Sequence, residues 1–220
     1  MITYSGVWCT PATGLVPEPS DIAVHSGRIT RYAGALWSSL LAHHVFVAEL
    51  VWAELMLQPN QFDHATWAWA FMHDAHETFM GEIPRRWKTP DRKAQEKAAD
   101  ARILKHYKLD GYKIEYGLIK RMDELALLAE ATVLELPDWP AKYCQENNLS
   151  EMPPIPDAAI EMMESIVKSG FYQVEHCTNP NSYAVMGAAV VYSNIKAGQL
   201  ESALNTFRRL LNNVLPEIEA

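Results

Sequence analysis

The sequence predicts an all-α protein, and three observations carry that prediction. Apolar residues recur at helical spacing, most clearly at Leu200, Leu204, Phe207, Leu211 and Val214. Helix start and stop signals bracket the apolar stretches: Thr89 before Pro90, Gly81 after Met80, Pro137 after Leu136. No alternating strand pattern persists, although "AVMGAAVVY" (184–192) reads either way.

The elements follow in order. Residues from about Ala35 to Leu57 are apolar nearly all round, as expected of a central helix, and Pro59 and Asn60 close it. A second helix is expected from about Asp63 to Met80, stopped by Gly81 in the position after the helix that glycine favours. "TPDRKAQEKAADARILKHY" opens with Thr89 as N-cap and Pro90 at the first helical position. A long helix from about Ile114 to Leu136 ends at Pro137. "EMPPIPD" (Glu151 to Asp157) is a proline-rich connection and the best boundary in the chain. It separates a core, residues 1–150, from a C-terminal helical extension, residues 151–220, of two or three helices. That extension is expected to pack on the core or on a neighbouring subunit.

Composition narrows the function. A chain of 220 residues, 49% hydrophobic, is long enough to bury one sizeable core. Nineteen basic against 27 acidic residues give a net charge of −8, which disfavours a nucleic-acid polymer as partner. A small anionic substrate needs only a local basic pocket and stays open. Cys9, Cys144 and Cys177 are scattered and odd in number, so a reducing cytoplasm is expected rather than a disulfide framework. The first residues lack a basic stretch followed by an apolar run, so a signal peptide is not expected. The most apolar stretch, "LLAHHVFVAELVWAELML", is interrupted by His43, His44, Glu49 and Glu54, which suits a buried helix better than a membrane span.

Chemistry concentrates in "FMHDAHETFMGEIP" (71–84). His73 and Asp74 are adjacent and point about 100° apart on a helix, yet both can reach one ion that sits off the helix surface. Alone, such a pair reads more readily as a hydrogen-bonding pair. Other residues shift that balance. His43 and His44 sit in the middle of the central apolar helix, and Asp123 precedes the apolar run "ELALLAEATVLEL". Buried charge without a partner is very costly. One divalent ion bound by His43, His73, Asp74 and Asp123 would satisfy all four at once. Periodicity does not choose between His43 and His44. Glu77 lies three residues after Asp74 and four after His73, hence on their face of a continuous helix. Arg85, Arg86, Lys88, Arg92 and Lys93 cluster where a helix begins, a natural anion site. Trp37, Trp67, Trp69 and Trp87 read as core or pocket wall.

The order H…HD…D resembles that of the HD-domain metal-dependent phosphohydrolases. The resemblance is closest to the compact branch with the 5′-deoxynucleotidases and the phage dATP triphosphohydrolases. It is carried by "PEPSDIAVHSGRITRYAG", "SLLAHHVFVAEL", "HDAHETFMGEIP", Lys88 and "IKRMDELALLAEA", and covers about residues 12 to 136. It implies an HD-domain helical bundle with additional C-terminal helices. It also implies that His43, four residues before Val47 of a Val-Ala pair, is the ligand, with His44 a packing residue.

Glu77 matches the catalytic acid/base, and Lys88 the phosphate-binding lysine. Glu82 stands where an aspartate is usual and would hold a second metal or orient water. Arg28, fifteen residues before His43, matches an arginine that contacts the nucleotide. Ile29 replaces the tryptophan that often follows it, and Ile29 and Arg31 are further candidate nucleotide contacts, as Arg85 and Arg86 are for phosphate. His76 receives no role and is expected to be exposed or to stand behind the ligands.

The implied reaction is attack of water on the α-phosphorus of a deoxynucleotide. dATP triphosphohydrolase, releasing deoxyadenosine and triphosphate, is the first expectation. A 5′-deoxynucleotidase acting on dNMPs is the alternative, and a catalytically silent nucleotide-sensing protein is another; a (p)ppGpp hydrolase fits less well. Two histidines and two carboxylates suit Zn²⁺ first, with Mn²⁺, Co²⁺, Fe²⁺ or Mg²⁺ as alternatives. No membrane partner is expected. The resemblance implies a homo-oligomer, dimeric or hexameric, and the host cytoplasm if the chain is of phage origin.

Overall fold

Ser39 caps the central helix, which begins at Leu40: its Oγ accepts a hydrogen bond from the Ala42 N–H at 3.1 Å, and the expected start near Ala35 lies outside the described residues. The computed structural model describes residues 14, 16–31, 38–57, 62–84, 87–136, 138–169 and 179–214. Among these residues there are ten helices and no strand beyond one isolated antiparallel bridge, Thr30 to Ser39, so the fold is all-α. No helix among them is long and apolar enough to cross a membrane.

Helix α1 (Pro19–Arg28) opens with proline in its first turn, and Asp21 accepts the Glu18 N–H at 3.0 Å. After α1 the chain pairs with the start of the next helix: Leu40 N–H to Ile29 O and Arg31 N–H to Ser38 O, both 2.9 Å. This short strap holds Arg31 at the head of α2 (Leu40–Met56). The apolar α2 is the central helix, buried from Leu40 to Val51 on every side.

The helix expected over 63–80 is broken. Asp63 caps α3 (His64–Ala70), six residues of turn follow, and α4 (Glu77–Met80) ends at Gly81, whose φ is +77°. The break has a local cause. His73 Nδ1 bonds Ala70 O at 2.8 Å, the carbonyl that the Asp74 N–H would take in a continuous helix. Tighter three-residue bonds take over, Ala75 N–H to Met72 O at 2.8 Å and Glu77 N–H to Asp74 O at 2.9 Å.

Helix α5 (Pro90–His106) is polar, capped by Thr89 as expected, and buries only Glu96, Ala99 and Ile103. Helix α6 (Tyr116–Val133) packs along α2. It stops at Leu134, before the predicted end, and Glu135 then takes a left-handed φ of +52°. Helix α7 (Trp139–Asn147) follows, and α8 (Asp157–Lys168) packs on α6 and α2.

The ambiguous "AVMGAAVVY" is helical, within α9 (Tyr183–Lys196), which packs against α1 and against α10 (Leu200–Val214). Gly187 lets those two helices close up: a Cβ there would lie 2.7 Å from Leu210 Cδ1. Helices α9 and α10 enter the same core as the central helix. Phe71, in the turn after α3, packs on Tyr192 at a ring-centroid distance of 4.7 Å and edge-on to Phe207 at 5.5 Å; Trp67 meets Phe207 at 5.3 Å. Trp67 and Trp69 are core residues as expected, Trp37 lies outside the described residues, and Trp87 is 61% exposed, so it is no core residue. The chain turns at Pro84, which leaves Trp87 on the outer side of the α4–α5 connection.

Glu49 in α2 is buried and gripped by Arg208 of α10, whose Nη1 lies 2.7 and 2.9 Å from the two carboxylate oxygens. The same guanidinium covers the Trp52 ring at 3.9 Å. Removing one partner strands the other charge in the interior. Arg208→Ala is therefore expected to lower unfolding free energy by about 3 kcal/mol, and Arg208→Ala with Glu49→Met to recover most of it. Urea unfolding of the three variants checks this; a loss under about 0.5 kcal/mol for the single variant would show an ion pair no stronger than a surface one.

Candidate metal centre

Four segments bring the site together: the strap after α1, the first turn of α2, the turn before α4, and the face of α6. His43, one turn into α2, is fully buried. Its Nδ1 lies 2.9 Å from Glu130 Oε1 and its Nε2 lies 3.0 Å from Asp123 Oδ1. Asp123 and Glu130 are seven residues apart, two turns on one face of α6, and so address both edges of one imidazole. Behind Glu130, Arg31 Nε stands at 3.6 Å.

His73 enters from the turn. With Nδ1 on the Ala70 carbonyl, its Nε2 faces the cluster, 3.3 Å from Asp74 Oδ2 and 3.6 Å from Asp123 Oδ1. That Nε2 is buried and has no hydrogen-bond partner. Ligand atoms of His43, His73 and Asp123 lie within 4.8 Å of one another and can hold a metal ion; Asp74, His76 and Glu77 form a second such group. Each histidine of the first group has its other nitrogen fixed by an acceptor, which sets the tautomer and aims Nε2. The donor set thus fits a divalent ion. His43, His73 and Asp123 meet across distances that one ion can span, and Asp74 reaches this group through His73.

The electrostatics follow from burial and pairing. Burial and the Arg31 charge push His43 down, but Glu130 and Asp123 outweigh them and raise it above its ordinary 6.5. Burial also opposes the charge on His73, yet Asp74 and Asp123 hold it well above that value. Burial pushes the Asp123 carboxyl up, but the hydrogen bond to His43 and the nearby charges of His73 and His43 hold it well below the usual carboxylate range. Burial and the Asp74 charge push Glu77 up to about 8.

No protein-family model, curated protein or solved structure matches this chain. The site is therefore read from its own geometry.

That geometry places the other expected residues as follows. Glu77, 4% exposed, belongs to the second group, beside Asp74; the tight turn, not a continuous helix face, brings it there. Lys88 Nζ lies 3.8 Å from Glu77 Oε1 and 3.0 Å from Glu96 Oε2. Glu82 is half-buried, and its charge raises Glu77. Arg31 is buried within the cluster, whereas Arg28 is exposed at the end of α1 and Ile29 half-buried beyond it. Arg85 and Arg86 lie outside the described residues. Arg92 is a clasp: it donates to Glu96 at 3.0 Å and to the Met80 and Gly81 carbonyls at 2.9 and 2.8 Å. His44 turns away, with Nδ1 2.9 Å from the Tyr192 hydroxyl.

Three participants were missed in the sequence. Glu130 was visible as a charge in the run "ELALLAEATVLEL", two turns beyond Asp123 on the same helix face. Glu96, which joins Lys88 to Arg92, gave no signal within the polar α5. His76 is not exposed: it is 4% accessible, with Nδ1 2.8 Å from Asp100 Oδ1.

Two predictions follow from this arrangement. Glu130→Gln is expected to weaken metal affinity about 10–100-fold by loosening His43, as read by chelator competition. Unchanged affinity would remove Glu130 from that role. Metal uptake must also displace protons from His43 and His73, both held above 6.5 without metal. Affinity is therefore expected to rise as pH increases from about 6 to about 8, with proton release in calorimetry across buffers of different ionisation enthalpy.

Proposed function

We infer that the protein is a metal-dependent phosphohydrolase acting on deoxynucleotides, and that dATP is its substrate, cleaved to deoxyadenosine and triphosphate. One observation carries the hydrolase reading. Two histidines whose Nε2 atoms face inward, that of His43 on Asp123 and that of His73 without a hydrogen-bond partner, meet Asp123 and Asp74, with Glu77 and Lys88 alongside. The choice of deoxynucleotide and of dATP rests on the sequence resemblance and on the cations around Lys88.

His43, His73, Asp74 and Asp123 would hold the ion, with Zn²⁺ the best match to two imidazoles and two carboxylates. Bound there, a divalent ion supplies Lewis acidity toward water and toward a phosphoryl oxygen. The remaining steps belong to side chains. Glu77 accepts the proton of the attacking water; burial and the Asp74 charge raise its affinity for that proton. Lys88, close to Glu77, neutralises phosphate charge. Arg31, against Glu130, adds positive potential behind the ligands. The water oxygen bonds the α-phosphorus as the bond to the 5′-oxygen breaks, and that oxygen leaves as the deoxynucleoside hydroxyl by taking the proton Glu77 accepted.

A specific observation favours a second reading. Arg92 is bound to Glu96 and two carbonyls, and Lys88 shares Glu96, so this loop offers a long phosphate chain less free charge than its composition suggests. A 5′-deoxynucleotidase acting on dNMPs needs less.

Chromatography of products from a panel of dNTPs and dNMPs separates the two: dATP should give deoxyadenosine and triphosphate. Turnover of dNMPs with dATP intact would select the second reading, and no turnover of any nucleotide by the metal-loaded protein would sink both. Asp74→Ala should lose metal and activity together, as seen by elemental analysis alongside the assay. Glu77→Gln should retain the ion at His43 and His73 and lose about 10²–10⁴ in kcat; near-normal kcat would remove Glu77 from proton transfer.

A further inference from the structure

The turn at 71–76 does more than deliver His73. On an α-helix Asp74 and His76 would point about 200° apart and could share no ligand. In the turn, ligand atoms of Asp74, His76 and Glu77 lie within 4.8 Å of one another. His76 and Glu77 are each only 4% exposed. His76 Nδ1 is held by Asp100 of α5 at 2.8 Å, which leaves Nε2 buried with no hydrogen-bond partner. Glu77 Oε2 is likewise buried and without one. An imidazole with one nitrogen fixed by a carboxylate and the other left open in the interior has the form of a metal ligand. Two such open atoms facing one acidic neighbour are costly unless something joins them.

We propose that Asp74, His76 and Glu77 form a second divalent-cation site, with Asp100 as the residue that positions His76. Asp74 lies between the two groups, its Oδ2 3.3 Å from His73 Nε2, so its carboxylate can bridge two ions. Paired ions of this kind sit about 3.5–4 Å apart. Glu77 has two oxygens: Oε2 serves the second ion, and Oε1, nearest Lys88, keeps its place in proton transfer. Two carboxylates and one imidazole make the second site richer in oxygen than the first, which suits Mn²⁺ over Zn²⁺. The inference rests on the reading of His43, His73, Asp74 and Asp123 as a metal centre, but not on any reaction there.

The test is to strip the full chain with chelator, refill it with Mn²⁺, and measure bound metal and the electron paramagnetic resonance spectrum. The parent protein should hold two Mn²⁺ per chain with an exchange-coupled spectrum. His76→Ala and the milder His76→Gln should each hold one, with an uncoupled spectrum and unchanged helicity by circular dichroism. Asp100→Asn should weaken the second ion about 10–100-fold and leave the first in place. One ion or none in the parent, or a coupled pair that survives in both His76 variants, overturns the proposal. Two coupled ions in a protein that hydrolyses no nucleotide would support it while refuting the phosphohydrolase.

Discussion

Everything in the site depends on one buried imidazole. His43 is enclosed in the apolar central helix, and an interior charge without partners there would cost several kcal/mol. Glu130 and Asp123 take one nitrogen each. Because those two carboxylates lie on one face of α6, the contact fixes how α2 and α6 are rotated against each other. Glu130 is itself fully buried and draws Arg31 toward it. The strap that carries Arg31 is in turn pinned to Ser38 and Leu40, on either side of Ser39, the cap of α2. Packing and electrostatics thus specify the same arrangement.

The turn at 71–76 is the second constraint. A continuous helix would have left His76 and Asp74 on different sides. His73 breaks it by bonding its own backbone three residues back. A histidine that is both the breaker and a candidate ligand couples local conformation to site chemistry. Its Nδ1 shapes the turn and its Nε2 faces the carboxylates.

The all-α class was legible because helical spacing and caps are local signals. Thr89 and Pro90 mark the start of α5 in the sequence and in the fold alike. The helix from 63 to 80 was misread because side-chain competition for a backbone carbonyl has no periodic signature. His43, His73, Asp74 and Asp123 stood out because polar groups among apolar residues demand partners; the structure groups His43, His73 and Asp123, and sets Asp74 beside His73 but in a second group with His76 and Glu77. Asp100 and Glu96 did not stand out, because a carboxylate on a polar helix looks the same whether it faces solvent or a histidine. Arg92 reads as a phosphate cation in the sequence, and only the position of the Met80 and Gly81 carbonyls shows it to be a clasp.

The adjacent histidines show how environment divides roles within one dipeptide. Burial pushes both imidazoles down. His43 faces two carboxylates and is raised; His44 faces a hydroxyl, with the His73 charge against it, and is held well below its ordinary value. A neutral His44 can sit beside a charged cluster without adding to its repulsion. Its partner, the Tyr192 hydroxyl, also reaches the Phe71 carbonyl at 3.4 Å. Phe71 is the first residue of the turn that presents His73. Helix α9, far along the chain and beyond the reach of the sequence resemblance, therefore braces both histidine-bearing segments from behind. The C-terminal helices are part of what holds the candidate ligands in place.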